Sequence, residues 1–377
     1  MDYQEKALKK HKELRGKIEV TLKDTLDTQE KLSTYYTPGV AAVSSYVAAH
    51  PEEARDYTWL NNSVAIVSDG SAVLGLGNIG PYGALPVMEG KAMLFKHFAG
   101  IDAVPIVLNV HTADEIVAAV TAIAPSFGGI NLEDIAAPIC FEVEDRIKAE
   151  LNIPVMHDDQ HGTAIVVLAG LINAMKVTGK DLHSCRVVCV GAGAAGTAIM
   201  KLLYRYARPV ILAVDSQGII SKNRPGLTFE KRKLLEFTNS NAVEGTLEDA
   251  MENADIFIGV SQAGLVTTKM IQSMAKGAII FAMANPTPEI MPADARLAGA
   301  AIVATGRSDF PNQVNNALAF PGIFRGALDN RVNKITDQHK INAAEVIASL
   351  VQEPSANMIV PSVLDERLVP AIAAIIR

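Results

Sequence analysis

The sequence predicts two α/β domains in succession: an N-terminal α/β unit over residues 1–160, and a nucleotide-type α/β unit with C-terminal helices over 161–377. Three observations carry that expectation. Short apolar runs alternate with helical segments, the pattern of a mainly parallel sheet layered with helices. A glycine loop, GAGAAG, stands between a strand-like run and a helix near the middle of the chain. The length of 377 residues is also large for a single hydrophobic core.

Taken in order, the opening MDYQEKALKKHKELRGKIEV alternates charged and apolar residues at helical spacing. Thr37-Pro38-Gly39 in YYTPGVA breaks the chain, and a second helix is expected from Val40 to His50. VAIVSDG, from Val64, reads as a strand ending in a turn, and GLGNIGPYGALP as a loop. MEGKAMLFKHFAG is helical, with Met88, Ala92, Leu94 and Phe95 facing inward. Strands recur at VPIVLNV, INLEDI and IPVMHDD. The nearly all-apolar GTAIVVLAGLINAMKVTG, from Gly162 to Gly179, is expected to be a helix packed between the domains. RVVCV, from Arg186, opens the second unit, and DERLVPAIAAIIR closes the chain as a docked helix.

Composition excludes several classes. Hydrophobic residues at 49% with 20% charged residues describe a globular chain. A net charge of -7 argues against a nucleic-acid partner. The N-terminus lacks the apolar core of a signal peptide, and no apolar run approaches the ~20 uninterrupted residues of a membrane span. Cys140, Cys185 and Cys189 form no CxxC pair, so they read as buried thiols in a reducing cytoplasm.

In RVVCV-GAGAAG-TAIMKLLYRYA, strand, glycine loop and helix follow directly on one another. Gly191 allows the tight turn, Gly193 lets backbone approach a pyrophosphate, and Gly196 permits close helix–strand packing. Ala192, Ala194 and Ala195 complete the loop, and the helix N-terminus offers free N–H groups to phosphates. The second unit is therefore expected to be Rossmann-like. Asp215 ends the next strand, PVILAVD, near the offset of an acid that binds the adenine ribose. Asp215 favours NAD; Lys222 and Arg224, a few residues on, keep NADP possible.

Glu133 and Asp134 close one predicted strand, and Asp158 and Asp159 close another. Carboxylates converging at a sheet edge call for a cation, and hard oxygen donors suit Mg²⁺ or Mn²⁺. The alternative is that the Asp158-Asp159 pair only caps a helix. His157 and His161 could instead hold zinc, but that needs one helix spanning both, and the helix is expected only after Gly162. Lys91 lies among apolar residues, where half burial lowers an amine's pKa and suits it to act as a base. The plainer reading is a lysine whose stem lies along the surface.

Together, YYTPGVA, SDGSAVLGLGNIGPYGALPVMEGK, INLEDI, HDDQHGTA, GAGAAG, ANPT and QVNNALAFPG occur in the order found in malic enzymes. The chain resembles their short bacterial form over almost its whole length. The resemblance implies NAD(P)-dependent, divalent-metal-dependent oxidation of L-malate to pyruvate and carbon dioxide by a cytoplasmic homodimer. It implies Tyr36 as general acid, Lys91 as general base with Asp158 beside it, and Glu133, Asp134 and Asp159 as metal ligands. It implies Asn285 and Asn315 at the malate carboxylates or the nicotinamide, with Asn316 able to exchange with Asn315.

One departure concerns substrate binding. Longer malic enzymes carry an arginine after the Asp-Gly turn, where this chain has Ala72. Ser71 with backbone amides, or Arg307, are the expected substitutes. Two other readings stay open: a malolactic-type enzyme that makes lactate with bound NAD, and a non-catalytic dinucleotide-binding regulator.

Overall fold

The computed structural model describes residues 3–377; Met1 and Asp2 of the expected first helix lie outside the described residues. Two sheets organise the chain. The first contains β1 (Ser63–Ser68), β2 (Asp102–Val107), β3 (Gly129–Leu132) and β4 (Val155–His157), all parallel, in the order β2-β1-β3-β4. β1 and β3 are buried throughout, as strands covered on both faces must be.

The second sheet holds β5 (Arg186–Val190), β6 (Val210–Asp215), β7 (Gly218–Ile219), β8 (Ile256–Gly259), β9 (Ile279–Ala282) and β10 (Ile302–Thr305). Its order is β10-β9-β8-β5-β6-β7, and only the short β7 is antiparallel. The order reverses at β5, the position at which open α/β sheets leave a crevice at their strand ends. The glycine loop follows that strand.

The apolar run forms a helix over Asp158–Thr178, with 13 of its 21 residues buried. By length and composition it could cross a membrane. Here it is a core element, packed on the helices Ala194–Ala207 and Asp337–Ser349. Asn173 on this helix is fully buried and donates to Ala348 O and Ile359 O, both at 2.9 Å. Phe320 and Phe324, on the helix Phe320–Asp329, reach back to Phe95 beside the first sheet, with ring centroids at 4.7 and 5.4 Å.

Two expected boundaries move. The helix before the second unit begins at Asp158, not after Gly162, because both aspartates fit the positive N-terminal end of a helix dipole. The lysine helix spans Gly80–Ala99, so GPYGALP is helical and the loop is confined to residues 71–79. Pro81 is tolerated there because the first turn needs no amide donor. A short helix at Gln29–Tyr35, capped by Thr28, was not anticipated. From Tyr3 to Asn62 no residue is buried, although the segment carries Leu8, Val20, Leu22 and Trp59.

Candidate active site

Lys91 lies at the meeting point of both halves. It is 6% exposed, on the inner face of its helix, with Met88, Ala92 and Phe95. Its Nζ donates to Asp158 Oδ2 at 2.7 Å and pairs with Glu133 Oε1 at 2.8 Å. Phe320, from the second half, places its ring centroid 4.4 Å from the ammonium. The expectation of a lowered lysine pKa is corrected here. Burial does oppose the charge, but Asp158, Glu133 and Asp159 outweigh it and hold the ammonium above its ordinary value.

The four acids converge as the strand pattern required. Glu133 and Asp134 follow β3; Asp158 and Asp159 follow the adjacent β4. Burial raises the carboxyl pKa of each, Asp134 to about 8 with help from Asp159 and Glu133, and Asp158 to about 6 despite Lys91. Asp134 adopts a left-handed backbone, φ 55°, which Asp tolerates better than most residues. That conformation is pinned from both sides: its N–H donates to Asp159 Oδ2 at 2.7 Å, and its carbonyl accepts from Ala72 N at 3.0 Å.

Asp158 folds back over its own helix. A Cβ at Gly162 would stand 1.9 Å from Asp158 Oδ1, so only glycine fits. The same absent atom would lie 2.9 Å from Asn316 Cβ, which puts Asn316 against this turn. Asn315 spends its Oδ1 on capping the turn at Ala317 N, 2.8 Å. Asn285 is exposed, and a Cβ at Gly75 would stand 2.7 Å from its carbonyl, so loop 71–79 rests on the Asn285 loop.

Hard carboxylate donors at adjacent strand ends fit Mg²⁺ or Mn²⁺ in kind. Asp134 Oδ2 and Asp158 Oδ1 are buried without a hydrogen-bond partner, and 34% of the Asp159 side chain is open. As they stand, the acids close on Lys91 and the Asp134 amide, and among the described residues no three acids, histidines or cysteines form a ready metal cage. Zinc at the histidines has no geometric support, because Glu144 Oε2 takes His161 Nε2 at 2.9 Å and His157 lies before the helix.

Of the expected substitutes for an arginine, Ser71 is committed elsewhere. Its hydroxyl donates to Asp69 Oδ1 at 2.6 Å and accepts from Ala136 N at 2.9 Å. Arg307 is paired with Asp309, but its Nη1 also donates to Pro286 O at 3.0 Å, beside Asn285. Tyr36 is 67% exposed, and its hydroxyl has no partner among the described residues.

At the glycine loop, Gly191 has φ 106°, and a Cβ there would meet Val260 O at 2.6 Å. A Cβ at Gly196 would meet Gly191 O at 1.8 Å, while one at Gly193 would point into open space. Gly193 precedes the helix that starts at Ala194, so helix N–H groups face that opening. Asp215 is already held by two cations. Arg224 contributes Nη1 to Oδ1 at 2.9 Å and Nη2 to Oδ2 at 2.5 Å, and Lys231 Nζ lies 2.7 Å from Oδ2. Burial alone would raise this carboxyl; the two cations bring it down to about 2.

Three supporting groups escaped the sequence reading. Asn131 donates to Glu133 Oε2 at 2.9 Å, and a polar residue inside the apolar INL run was its signal. Glu289 is fully buried and accepts from Ala284 N and Ser261 N, tying the Asn285 loop to the loop after β8. Glu144 accepts from His157 N at 2.9 Å and braces the end of β4. Neither glutamate has a local signal, since both act on residues distant in sequence.

A reversing parallel sheet with a glycine loop, in one chain with a buried lysine among acids, defines a dinucleotide-dependent enzyme. The malic enzyme NAD binding domain matches residues 160–375, and the malic enzyme N-terminal domain matches 15–115 and 111–148. The chain is 56% identical over 376 residues to the bifunctional malic/malolactic enzyme of Bacillus subtilis, covering 99% of this chain and 92% of that one. It is 52% identical to the NAD-dependent malic enzyme of Geobacillus stearothermophilus, covering 94% and 74%. The crystal structure of an NAD-dependent malic enzyme from Thermotoga maritima superposes with a TM-score of 0.95 at 50% identity, covering 98% of both chains. The chain belongs to the malic enzyme family, and its second half is an NAD(P)-binding domain.

Proposed function

We propose that this enzyme converts L-malate to pyruvate and carbon dioxide with reduction of NAD(P), using a divalent metal. The observation that carries the proposal is the buried Lys91–Glu133–Asp158 contact beside two further acids. Glu133, Asp134 and Asp159 would hold Mg²⁺ or Mn²⁺. Bound there, such an ion supplies Lewis-acid polarisation of the malate C2 oxygen and shares the acids' charge, which loosens their hold on the Lys91 proton. As a neutral amine, its own proton having passed to solvent, Lys91 takes the C2 hydroxyl proton, and Asp158 keeps the amine aimed. Asn285 and Asn315, with Asn316 beside Asp158, orient the carboxylates or the nicotinamide. Tyr36 returns a proton to C3 after carbon dioxide leaves.

The dinucleotide, held by Gly191 to Gly196 with Asp215 toward the ribose, supplies the hydride acceptor. NAD is the proposed preference. Arg224 and Lys231 at Asp215 offset the carboxylate's repulsion of a 2′-phosphate, so NADP is a usable second cofactor. A malolactic output is the second reading, favoured by 56% identity to a protein named for both activities. We keep the domain boundary at 160/161 and a cytoplasmic setting with neither membrane nor nucleic-acid partner.

The proposed assembly is a homodimer. No residue from 3 to 62 is fully buried within the chain, and exposed apolar side chains on this charged arm, among them Leu8, Val20 and Leu22, would be covered by a second copy. Tyr36 lies on that arm, so the second copy is also the route by which its hydroxyl reaches a Lys91 site. The metal proposal is tested by stripping the protein with a chelator and adding Mn²⁺ back. Turnover should vanish and return; full turnover of stripped protein would reject the metal.

A further inference from the structure

A cavity of about 810 Å³ lies away from this chemistry, among the helices Ile139–Glu150, Asp158–Thr178, Ala194–Ala207, Phe229–Leu234 and Asp337–Ser349. No residue from Gly191 to Gly196 lines it, nor do Lys91, Glu133, Asp134, Asp159, Asn285 or Asn315. The short helix Phe229–Leu234 separates it from the ribose acid: Lys231 reaches Asp215, whereas Glu230, Lys233 and Leu234 line the cavity. Its size suits a small organic ligand.

We propose that this cavity is an effector site for a small metabolite bearing a phosphate or carboxylate group on an apolar or flat body. Six cationic side chains line it against five carboxylates. Glu144 is satisfied by Lys148 at 2.5 Å and His161 at 2.9 Å, and Asp337 by Lys340 at 3.0 Å and by Arg205. Glu230 pairs with Lys233; Lys201 and Arg208 make no ion pair among the described residues, nor do Asp145 and Glu236, and the two cations are the groups a ligand anion would use. Gln160 gives the independent sign of a missing partner: it is 4% exposed, lines the cavity, and its Nε2 is buried with no acceptor. A buried donor left unpaired is costly, so an acceptor is expected there. Tyr204 and Phe237, with centroids 5.8 Å apart, supply a wall for the ligand body.

The route to the active site is short. Gln160 directly follows Asp159 in the first turn of its helix. Glu144, through Lys148 on the cavity side, also holds His157 N at the end of β4. An anion that draws on Gln160 and Lys148 therefore acts on the turn that presents Asp158 and Asp159.

The test is calorimetric titration of the full-length protein with phenyl phosphate, inorganic phosphate and benzoate, with and without saturating NAD. Wild type and Lys201→Glu are compared; Lys201 is exposed and outside the reaction machinery. Binding of phenyl phosphate or benzoate that survives NAD and weakens ~10-fold or more in Lys201→Glu supports the site. The stronger of the two identifies the acid group, and a change in malate KM or kcat seen only in wild type supports the effector role. Displacement by NAD, equal binding to Lys201→Glu, or no binding to wild type would each overturn it. A titration matched by inorganic phosphate alone and insensitive to Lys201→Glu would mean surface anion binding and also overturn it.

Discussion

At the scale of single residues, the site depends on charges that burial makes expensive. Lys91 and its acids are stable only as a set, because each alone would leave an unpaired charge inside the protein. Lys91→Ala is expected to lower kcat for malate oxidation by ~100-fold or more, measured as reduced-cofactor formation by folded protein. A loss of only a few-fold would remove Lys91 from the role of base. Gly162→Ala is expected to reduce both kcat and thermal stability, because the new methyl group would stand 1.9 Å from the Asp158 oxygen that shares a carboxylate with the Lys91 contact. Unchanged melting and turnover would show that the turn relaxes freely.

The positions of Glu133, Asp134, Asp158, Asp159 and Lys91 were legible because they close strands or follow the Gly/Pro loop. The protonation of Lys91 was not legible. It depends on three acids, Glu133, Asp158 and Asp159, that lie 42, 67 and 68 positions away in sequence.

At the scale of elements, the helix Asp158–Thr178 joins the two sheets and is fixed by one polar side chain in an apolar setting. Asn173→Ala would leave Ala348 O and Ile359 O without their donor, at a cost of about 1–3 kcal/mol. Urea unfolding would register this as a lowered midpoint, and an unchanged midpoint would show that water replaces the amide.

The end of β6 offers a pH test. Asp215 has its folded-state pKa at about 2, below the ordinary carboxylate value, so its ion pairs stabilise the fold above pH ~4. That stabilisation fades as pH falls from about 4 toward 2. The stability gap between wild type and Asp215→Asn should shrink over that interval, and a gap independent of pH would contradict the ion-pair account.

Strand positions were readable from short apolar runs, and the dinucleotide unit from its glycine spacing. Helix starts were harder. Gly80, Pro81 and Gly83 suggested a loop, yet Pro in a first turn costs nothing and the helix continues to Ala99. Aspartates at the end of β4 read equally well as strand end or helix start, and in the fold both lie in the first turn of the helix, where the dipole favours them.

At the scale of the whole molecule, the exposed N-terminal arm and the exposed Tyr36 carry one consequence. If a second copy covers the arm and receives its tyrosine, inactive Tyr36→Phe and Lys91→Ala chains should complement one another. Random mixing would then restore activity to about a quarter of wild type, since half the dimers would contain one intact site. No recovery in mixtures shown to exchange subunits would place both residues in the same chain's site. Sequence showed the arm's helical spacing but not the exposure of its apolar side chains, which is a property of the folded surface.

The most direct test of the central claim is to follow purified protein with L-malate and Mn²⁺, separately with NAD and NADP, measuring reduced cofactor, pyruvate and lactate together. The account predicts reduced cofactor and pyruvate in equal amounts, faster with NAD and measurable with NADP. Lactate without net cofactor reduction, or no product with either cofactor, would contradict it.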